Sequence, residues 1–169
     1  MPARPIQRSI FRHIPVLAAV AMVAVCLSPD ARADSGVTNA AGSTESSPPL
    51  NAKRLYALGA IETNNNDSEV GAAGEVSRFQ ISPLVWKSYS KSTNYEDPKV
   101  AEEVARRHWS FLAKYFTEKT GRAPDDFDMY VLWNTRLGYY AHKGFSQQLV
   151  SKAVRDRAQR FVNLVNIPD

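Results

Sequence analysis

One long amphipathic segment, "DPKVAEEVARRHWSFLAKYFTEKTG" over residues 97–121, limits most what this chain can fold into. Apolar and aromatic side chains recur in it at helical spacing: Val100, Val104, His108, Phe111, Leu112 and Tyr115. This spacing places them on one face of a helix. Asp97 and Pro98 are a typical N-cap and first helical residue, while Gly121 and Pro124 end the helix. A long helix with one apolar face needs other elements to cover that face, which favours a mainly α domain.

The remaining segments predict shorter helices around this one. Residues 51–62 are predicted to form a helix with one apolar stripe, and Asn51 can cap this helix. Residues 82–90 are predicted to form a short helix that the chain enters through Ser82 and Pro83. Residues 126–134 are nearly all apolar, so we expect a buried helix there. A last helix is predicted from Ser146. The stretch between the first two helices is rich in Asn and Gly and includes a loosely alternating segment, so we predict a small irregular or β insertion after the first helix.

The N-terminal residues have the pattern of a secretory signal peptide. Arginines precede an apolar run over residues 14–27, and small residues at 31–33 suit cleavage. A membrane-spanning helix needs about 20 residues, so we expect no stable membrane span after cleavage. We predict a signal peptide at 1–33, a flexible linker at 34–50 and one folded domain at 51–169. Export to the periplasm or the extracellular space follows.

Charge and cysteine content exclude several classes of function. The net charge is +4, but residues 1–33 hold four arginines and one aspartate, which leaves 17 basic and 16 acidic residues. This near balance argues against a nucleic-acid partner. Cys26 is the only cysteine and lies in the signal peptide, so we expect no disulfide or thiol chemistry. No set of residues has the spacing of metal ligands, so we predict no metal and no cofactor. Ser77 has no histidine nearby to activate it, so we predict no nucleophile. His108 is interpreted as a surface or packing residue.

Glu62 is an ionisable residue in an unexpected position. On a helix with about 100° per residue it lies roughly 20° from Leu55 and about 40° from Leu58. It therefore lies on the apolar face, unless its side chain bends out to water at the end of the helix. Burial disfavours the charged form of a carboxyl and raises its pKa. A protonated carboxyl can donate to the leaving oxygen of a glycosidic bond.

Three short motifs occur in a familiar order. They are Ile61-Glu62-Thr63, then a segment from Gly74 to Gln80-Ile81, then Trp133-Asn134. In this order and spacing the chain resembles the lytic transglycosylase and goose-type lysozyme group of the lysozyme superfamily. The resemblance covers most of residues 52–140 and implies a lysozyme-like helical domain.

The resemblance also implies roles for individual residues. Glu62 matches the family's catalytic acid, Gln80 matches its cleft glutamine, and Asn134 matches the asparagine beside the glutamate. The family cleaves the β-1,4 bond between N-acetylmuramic acid and N-acetylglucosamine in peptidoglycan glycan strands. One carboxylate suffices, because it protonates the glycosidic oxygen and then deprotonates the sugar's own 6-hydroxyl, giving a 1,6-anhydro product.

Hydrolysis is the alternative outcome at the same site. An inverting hydrolase needs a second carboxylate about 6.5–9.5 Å from the first, so that a water molecule fits between them. The local candidates are Asp67, Glu69 and Glu75. The sequence does not choose among them.

The chain departs from the family pattern on both sides of the site. The letters "SRF" precede Gln80 where the family has Gly-Leu, and "TR" follows Asn134 where the family has Ala-Gly. Arg136 can narrow the cleft, pair with the catalytic glutamate or bind an anionic stem peptide. Tyr139 and Tyr140, in a predicted loop, suit either the core or a wall that stacks on sugar rings.

The first hypothesis is therefore an exported lytic transglycosylase. The second is a non-catalytic glycan-binding or scaffolding module on the same fold, which a cleft filled by Arg136 or Phe79 would favour. A third is an enzyme that acts on another amino-sugar polymer such as chitin.

Overall fold

The computed structural model describes residues 47–168, and most of this range is helical. The helices are α1 (Ala52–Thr63), α2 (Pro83–Tyr89), α3 (Pro98–Thr120), α4 (Asp126–Asn134), α5 (Leu137–His142) and α6 (Lys152–Val165), with a 3-10 turn at Gln147–Leu149. The β pairing described here is an isolated antiparallel bridge between Val76 and Ile81. The prediction of a mainly α domain is confirmed, and the insertion after α1 is an irregular loop.

Two predictions about the N-terminal region fall largely outside this range. The signal peptide at 1–33 and most of the linker at 34–50 lie beyond the described residues. Between residues 47 and 168, the helices are all too short or too polar to cross a bilayer.

Polar side chains fix the starts of the helices where the sequence predicts them. Asn51 accepts a hydrogen bond from the Arg54 amide at 3.0 Å, and Ser82 accepts one from the Val85 amide at 3.3 Å. Asp97 caps α3, and Pro98 is its first residue. These caps satisfy amides that have no partner within their own helix.

The core lies around α4, which packs against both α3 and α6, while α1 packs against α6. Trp109 on α3 contacts Phe161 on α6 with ring centroids 5.9 Å apart, and Tyr130 on α4 stacks on Phe161 at 5.4 Å. Residues 127–132 of α4 are buried. The predicted burial of this short apolar helix is confirmed, and α4 is therefore a fixed platform for any residue at its end.

The region after α4 differs from the predicted structure in two ways. The predicted loop at Tyr139 and Tyr140 is helix α5. The last helix begins at Lys152 instead of Ser146, so the predicted start was wrong. A 3-10 turn forms at Gln147–Leu149 instead, and Val150 and Ser151, with ψ angles of 151° and 152°, lie outside the helical range and separate this turn from α6.

The packed domain begins before residue 51. The Trp109 indole nitrogen donates to the Pro48 carbonyl oxygen at 2.9 Å, and Arg106 donates to the Leu50 carbonyl oxygen. Leu50 itself is buried. The end of the predicted linker is therefore attached to α3.

Candidate active site

Glu62 lies in the last turn of α1, where the chain leaves the helix. Asn64 and Asn65 follow with φ angles of 57° and 61°, and the Asn64 amide donates to the Ala60 carbonyl oxygen as a C-cap. Asparagine tolerates this left-handed backbone better than most residues do. The side chain of Glu62 does not bend out to water, since only 7% of it is exposed.

Two helices supply hydrogen-bond donors to the Glu62 carboxyl. The Tyr130 hydroxyl on α4 donates to Oε1 at 2.7 Å, and Nη2 of Arg157 on α6 donates to Oε2 at 2.8 Å. Arg157 Nε also donates to the Tyr130 hydroxyl oxygen at 2.9 Å. Asn134, the last residue of α4, adds a further side-chain hydrogen bond to the carboxyl. We call Glu62, Tyr130, Asn134 and Arg157 the carboxylate cluster.

Opposing effects act on the pKa of Glu62. Burial raises it, while the positive charge of Arg157 and the hydrogen bonds from Tyr130, Arg157 and Asn134 lower it. Burial is the largest effect, and the pKa lies above the ordinary value of 4.5. Burial also raises the pKa of Tyr130, so its hydroxyl keeps its proton and acts as a donor. The cluster therefore combines a carboxyl whose pKa is raised by burial with a neighbouring cation.

The loop over residues 76–81 is fastened to the ends of α1 and α4. The Thr63 hydroxyl donates to the Arg78 carbonyl oxygen at 2.9 Å, and the Trp133 indole nitrogen donates to the Phe79 carbonyl oxygen at 3.2 Å. Thr63 and Trp133 are the chain neighbours of Glu62 and Asn134. These two bonds bring all three sequence motifs to one end of the helical packing.

Gln80 lies on this loop in a strained conformation. Its φ angle is 51°, and its side-chain nitrogen donates to the Ser77 carbonyl oxygen at 3.4 Å. A Cβ atom at Gly71 would come within 2.3 Å of Gln80 Oε1 and 2.4 Å of Glu75 Oε2, so glycine leaves room for both side chains. A left-handed non-glycine residue costs of order 1 kcal/mol, and it persists because the surrounding contacts hold it.

Arg136 and the two tyrosines occupy different environments. Arg136 is exposed at the start of α5, and the arginine that pairs with Glu62 is Arg157. Tyr140 is fully buried and donates to Asp128 Oδ1 at 2.6 Å, so the prediction of a sugar-stacking role for Tyr140 was wrong. The Tyr139 side chain is half-buried, and its hydroxyl oxygen accepts a hydrogen bond from the Ser151 amide at 2.8 Å.

The three candidate second carboxylates lie in the loop after α1. Asp67 forms an ion pair with Arg78, Glu69 accepts a hydrogen bond from Asn66 at 2.9 Å, and Glu75 accepts one from the Ala73 amide at 3.1 Å. The Arg78 guanidinium occupies both carboxylate oxygens of Asp67. The role of a second carboxylate stays a prediction.

His108 fills space between aromatic rings. Its ring is stacked on Phe111 with centroids 6.1 Å apart and tilted against Trp133 at 5.4 Å. Burial lowers its pKa to about 4, so it is neutral at physiological pH. The interpretation of His108 as a packing residue is confirmed. Within residues 47–168, no group of three His, Cys, Asp or Glu side chains is arranged to hold a metal ion.

Sequence reasoning missed Tyr130 and Arg157. Tyr130 lies inside the apolar run of α4, which predicts a core residue, while Arg157 belongs to a charged stretch that predicts a solvated face. A signal for Arg157 is present in its spacing, because it falls three residues after Val154 and four before Phe161 on the inner face of α6. A charged residue on an apolar stripe needs a buried partner, as Glu62 does on α1.

Comparison of the whole chain with protein-family models, with curated proteins and with solved structures finds no match.

Proposed function

We propose that this chain is an exported peptidoglycan-cleaving glycosidase with a lysozyme-like helical domain, acting as a lytic transglycosylase. The observation that carries the proposal is the Glu62 carboxyl, buried at the end of α1 with a raised pKa and hydrogen-bonded by Asn134. A carboxyl of this kind keeps a proton that it can give to a leaving oxygen. The convergence of the three motif segments at this point supports the same conclusion.

The proposed reaction needs one carboxyl in two protonation states. Neutral Glu62 gives its proton to the glycosidic oxygen as the bond between that oxygen and C1 of N-acetylmuramic acid breaks. The resulting carboxylate removes the proton from the 6-hydroxyl of the same sugar, whose oxygen bonds to C1. The product is a 1,6-anhydro sugar, and Glu62 ends protonated as it began. Gln80 and Asn134 orient the sugar and the carboxyl.

The contacts that Glu62 makes within the carboxylate cluster favour a second candidate function, a non-catalytic glycan-binding or scaffolding module. Arg157 and Tyr130 occupy both oxygens of Glu62, and an arginine partner stabilises the carboxylate form over the acid. Two cavities, of about 140 Å³ and 360 Å³, are lined by residues outside the carboxylate cluster. The first lies beside Asp67 and Tyr95, and the second lies along α3 near Arg107.

Digestion of purified peptidoglycan sacculi separates these functions. The chain without residues 1–33 is incubated with sacculi, and the soluble fragments are identified by mass spectrometry, with Glu62→Gln as the matched variant. Anhydro-ended muropeptides from the wild type and none from Glu62→Gln are the expected result. Reducing-ended fragments indicate hydrolysis, and release by Glu62→Gln at the wild-type rate contradicts the assignment of Glu62. Binding without fragments favours the module, and cleavage of chitin instead of sacculi indicates a different polymer.

A further inference from the structure

Arg157 is a half-buried member of the carboxylate cluster. About two fifths of its side chain is accessible (40%), against 7% for Glu62. It reaches the cluster from α6, whereas Glu62 lies on α1 and Tyr130 and Asn134 lie on α4. Part of the Arg157 side chain is therefore accessible to a ligand from solvent, whereas the Glu62 carboxyl is almost completely covered.

The ion pair conflicts with the reaction proposed above. Arg157 donates to Glu62 Oε2, and both its positive charge and this hydrogen bond favour a charged Glu62. A general acid must be neutral when the glycosidic bond breaks. Arg157 has a long side chain anchored on a separate helix, so its guanidinium can leave Glu62 without movement of α1 or α4.

We propose that Arg157 is a specificity-determining residue that binds a carboxylate group on the glycan and thereby releases Glu62 to act as the acid. This inference rests on the proposed function and names its substrate class, a glycan strand that carries carboxylates on its lactyl or peptide substituents. The guanidinium exchanges one carboxylate for another, so no unpaired charge remains in the site.

The release changes the protonation of Glu62 in the direction that catalysis needs. The groups that face Glu62 are Arg157 on α6 and Tyr130 and Asn134 on α4. When Arg157 leaves, its opposing positive charge is lost while the burial remains, and the carboxyl takes up a proton more readily. A neutral glycan such as chitin offers no carboxylate, so Arg157 stays on Glu62 and the site stays inactive.

The first test measures binding and does not require turnover. A disaccharide-peptide fragment with free carboxylates and the same fragment with its carboxyls converted to methylamides are titrated into the chain without residues 1–33. We expect wild type to bind the free acid about tenfold more tightly, as a charge-assisted hydrogen-bonded pair does. Arg157→Gln should lose this preference. Arg160→Gln, which removes an exposed arginine from the same helix, should keep it.

Equal affinities of wild type for the two fragments, or a preserved preference in Arg157→Gln, overturn the inference. Arg157→Lys covers the case in which Arg157→Gln does not fold, because lysine keeps the charge without the planar donor pair. The lysine variant should retain a reduced preference for the free acid, and a preference equal to that of wild type would contradict the role of the guanidinium.

The pH profile distinguishes specificity from a purely structural clamp. The profile of kcat/KM reports the free enzyme and the profile of kcat reports the bound complex. In Arg157→Gln the basic limb of kcat/KM should move to higher pH, while the limb of kcat stays in place. If Arg157 had only a structural role, the basic limbs of the kcat/KM and kcat profiles would move together.

The two proposals fail in different ways. If sacculi yield no fragments but the binding preference holds, Arg157 binds the carboxylate and the enzymatic function fails. If sacculi yield fragments but wild type shows no preference for the free acid, the enzymatic function holds and the role of Arg157 fails.

Discussion

Replacing Glu62 by glutamine separates an active-site carboxyl from a structural ion pair. Glutamine keeps the shape of the side chain and an oxygen that can accept from Tyr130, but it removes the charge that holds Arg157. The effect on the free energy of unfolding then depends on whether the carboxylate stabilises the fold or strains it.

The magnitude follows from the exposure of the two partners. Removing one partner of a fully buried pair costs about 3–5 kcal/mol, since the other charge is left without compensation. Here 40% of the Arg157 side chain is exposed, so its guanidinium can turn to water, and burial already disfavours the charged form of Glu62. We therefore expect Glu62→Gln to change the free energy of unfolding by less than about 1 kcal/mol, which is about 4 °C in Tm for a domain of this size.

The pH dependence of the free energy of unfolding shows whether the fold favours the acid or the carboxylate form of Glu62. Because the pKa of Glu62 is higher in the folded state than its ordinary value of 4.5, the folded chain holds this proton more tightly than the unfolded chain does. The stability that this proton contributes is complete below about pH 4.5 and is lost as the pH rises through the folded-state pKa. Wild type should therefore lose stability relative to Glu62→Gln in parallel thermal melts as the pH rises from about 4.5 through the folded-state pKa.

Two results would refute this reasoning. A loss of more than about 3 kcal/mol in Glu62→Gln would show that the carboxylate is a structural partner of Arg157. A wild-type stability that grows relative to the variant as the pH rises would show that the folded-state pKa is lowered. Either result would remove the main support for Glu62 as a general acid.

Three further predictions concern the scaffold around the site. Asp128→Ala removes the buried acceptor of the Tyr140 hydroxyl and should cost about 3 kcal/mol in urea unfolding, because a buried polar group loses its partner. The pKa of His108 is lowered from 6.5 to about 4. The free energy of unfolding of wild type should therefore fall by up to about 3 kcal/mol relative to His108→Leu as the pH falls from 6.5 to 4, as measured by thermal melts. A difference that stays constant with pH would contradict this pKa. Gln80→Gly removes the strain of a left-handed backbone at a non-glycine residue, so the free energy of unfolding should stay equal or rise by about 1 kcal/mol in thermal melts. Fragment release from sacculi should fall in this variant. Unchanged release would exclude Gln80 from the site.

Local signals in the sequence were sufficient to predict most helix boundaries. The starts of α1, α2 and α3 follow from Asn51, Ser82 and Asp97, since a capping side chain bonds an amide two or three residues away. The burial of Glu62 follows from its angular position on α1. Interactions between near neighbours in the chain decide these features, so the sequence alone predicts them.

Features that depend on distant partners could not be predicted in the same way. The pairing of Glu62 with Arg157 needs the packing of α1 on α6, and the sequence offered Arg136 as a closer candidate. The late start of α6 depends on the non-helical backbone at Val150 and Ser151, where the Val150 side chain is buried in the core and the Ser151 amide donates to the Tyr139 hydroxyl oxygen. Tertiary packing overrides a local helix signal at such positions.

The position of Arg157 on the final helix also sets the order in which this site is assembled. Arg157 follows Glu62 by 95 residues, so the chain must be synthesised beyond residue 157 before the two charges can meet. Until α6 docks, the carboxyl at the end of α1 lacks the Arg157 guanidinium that binds its Oε2 atom. The chemistry of the cluster therefore begins with the docking of α6, and a chain shortened before this helix retains the three motifs without the environment that makes Glu62 unusual.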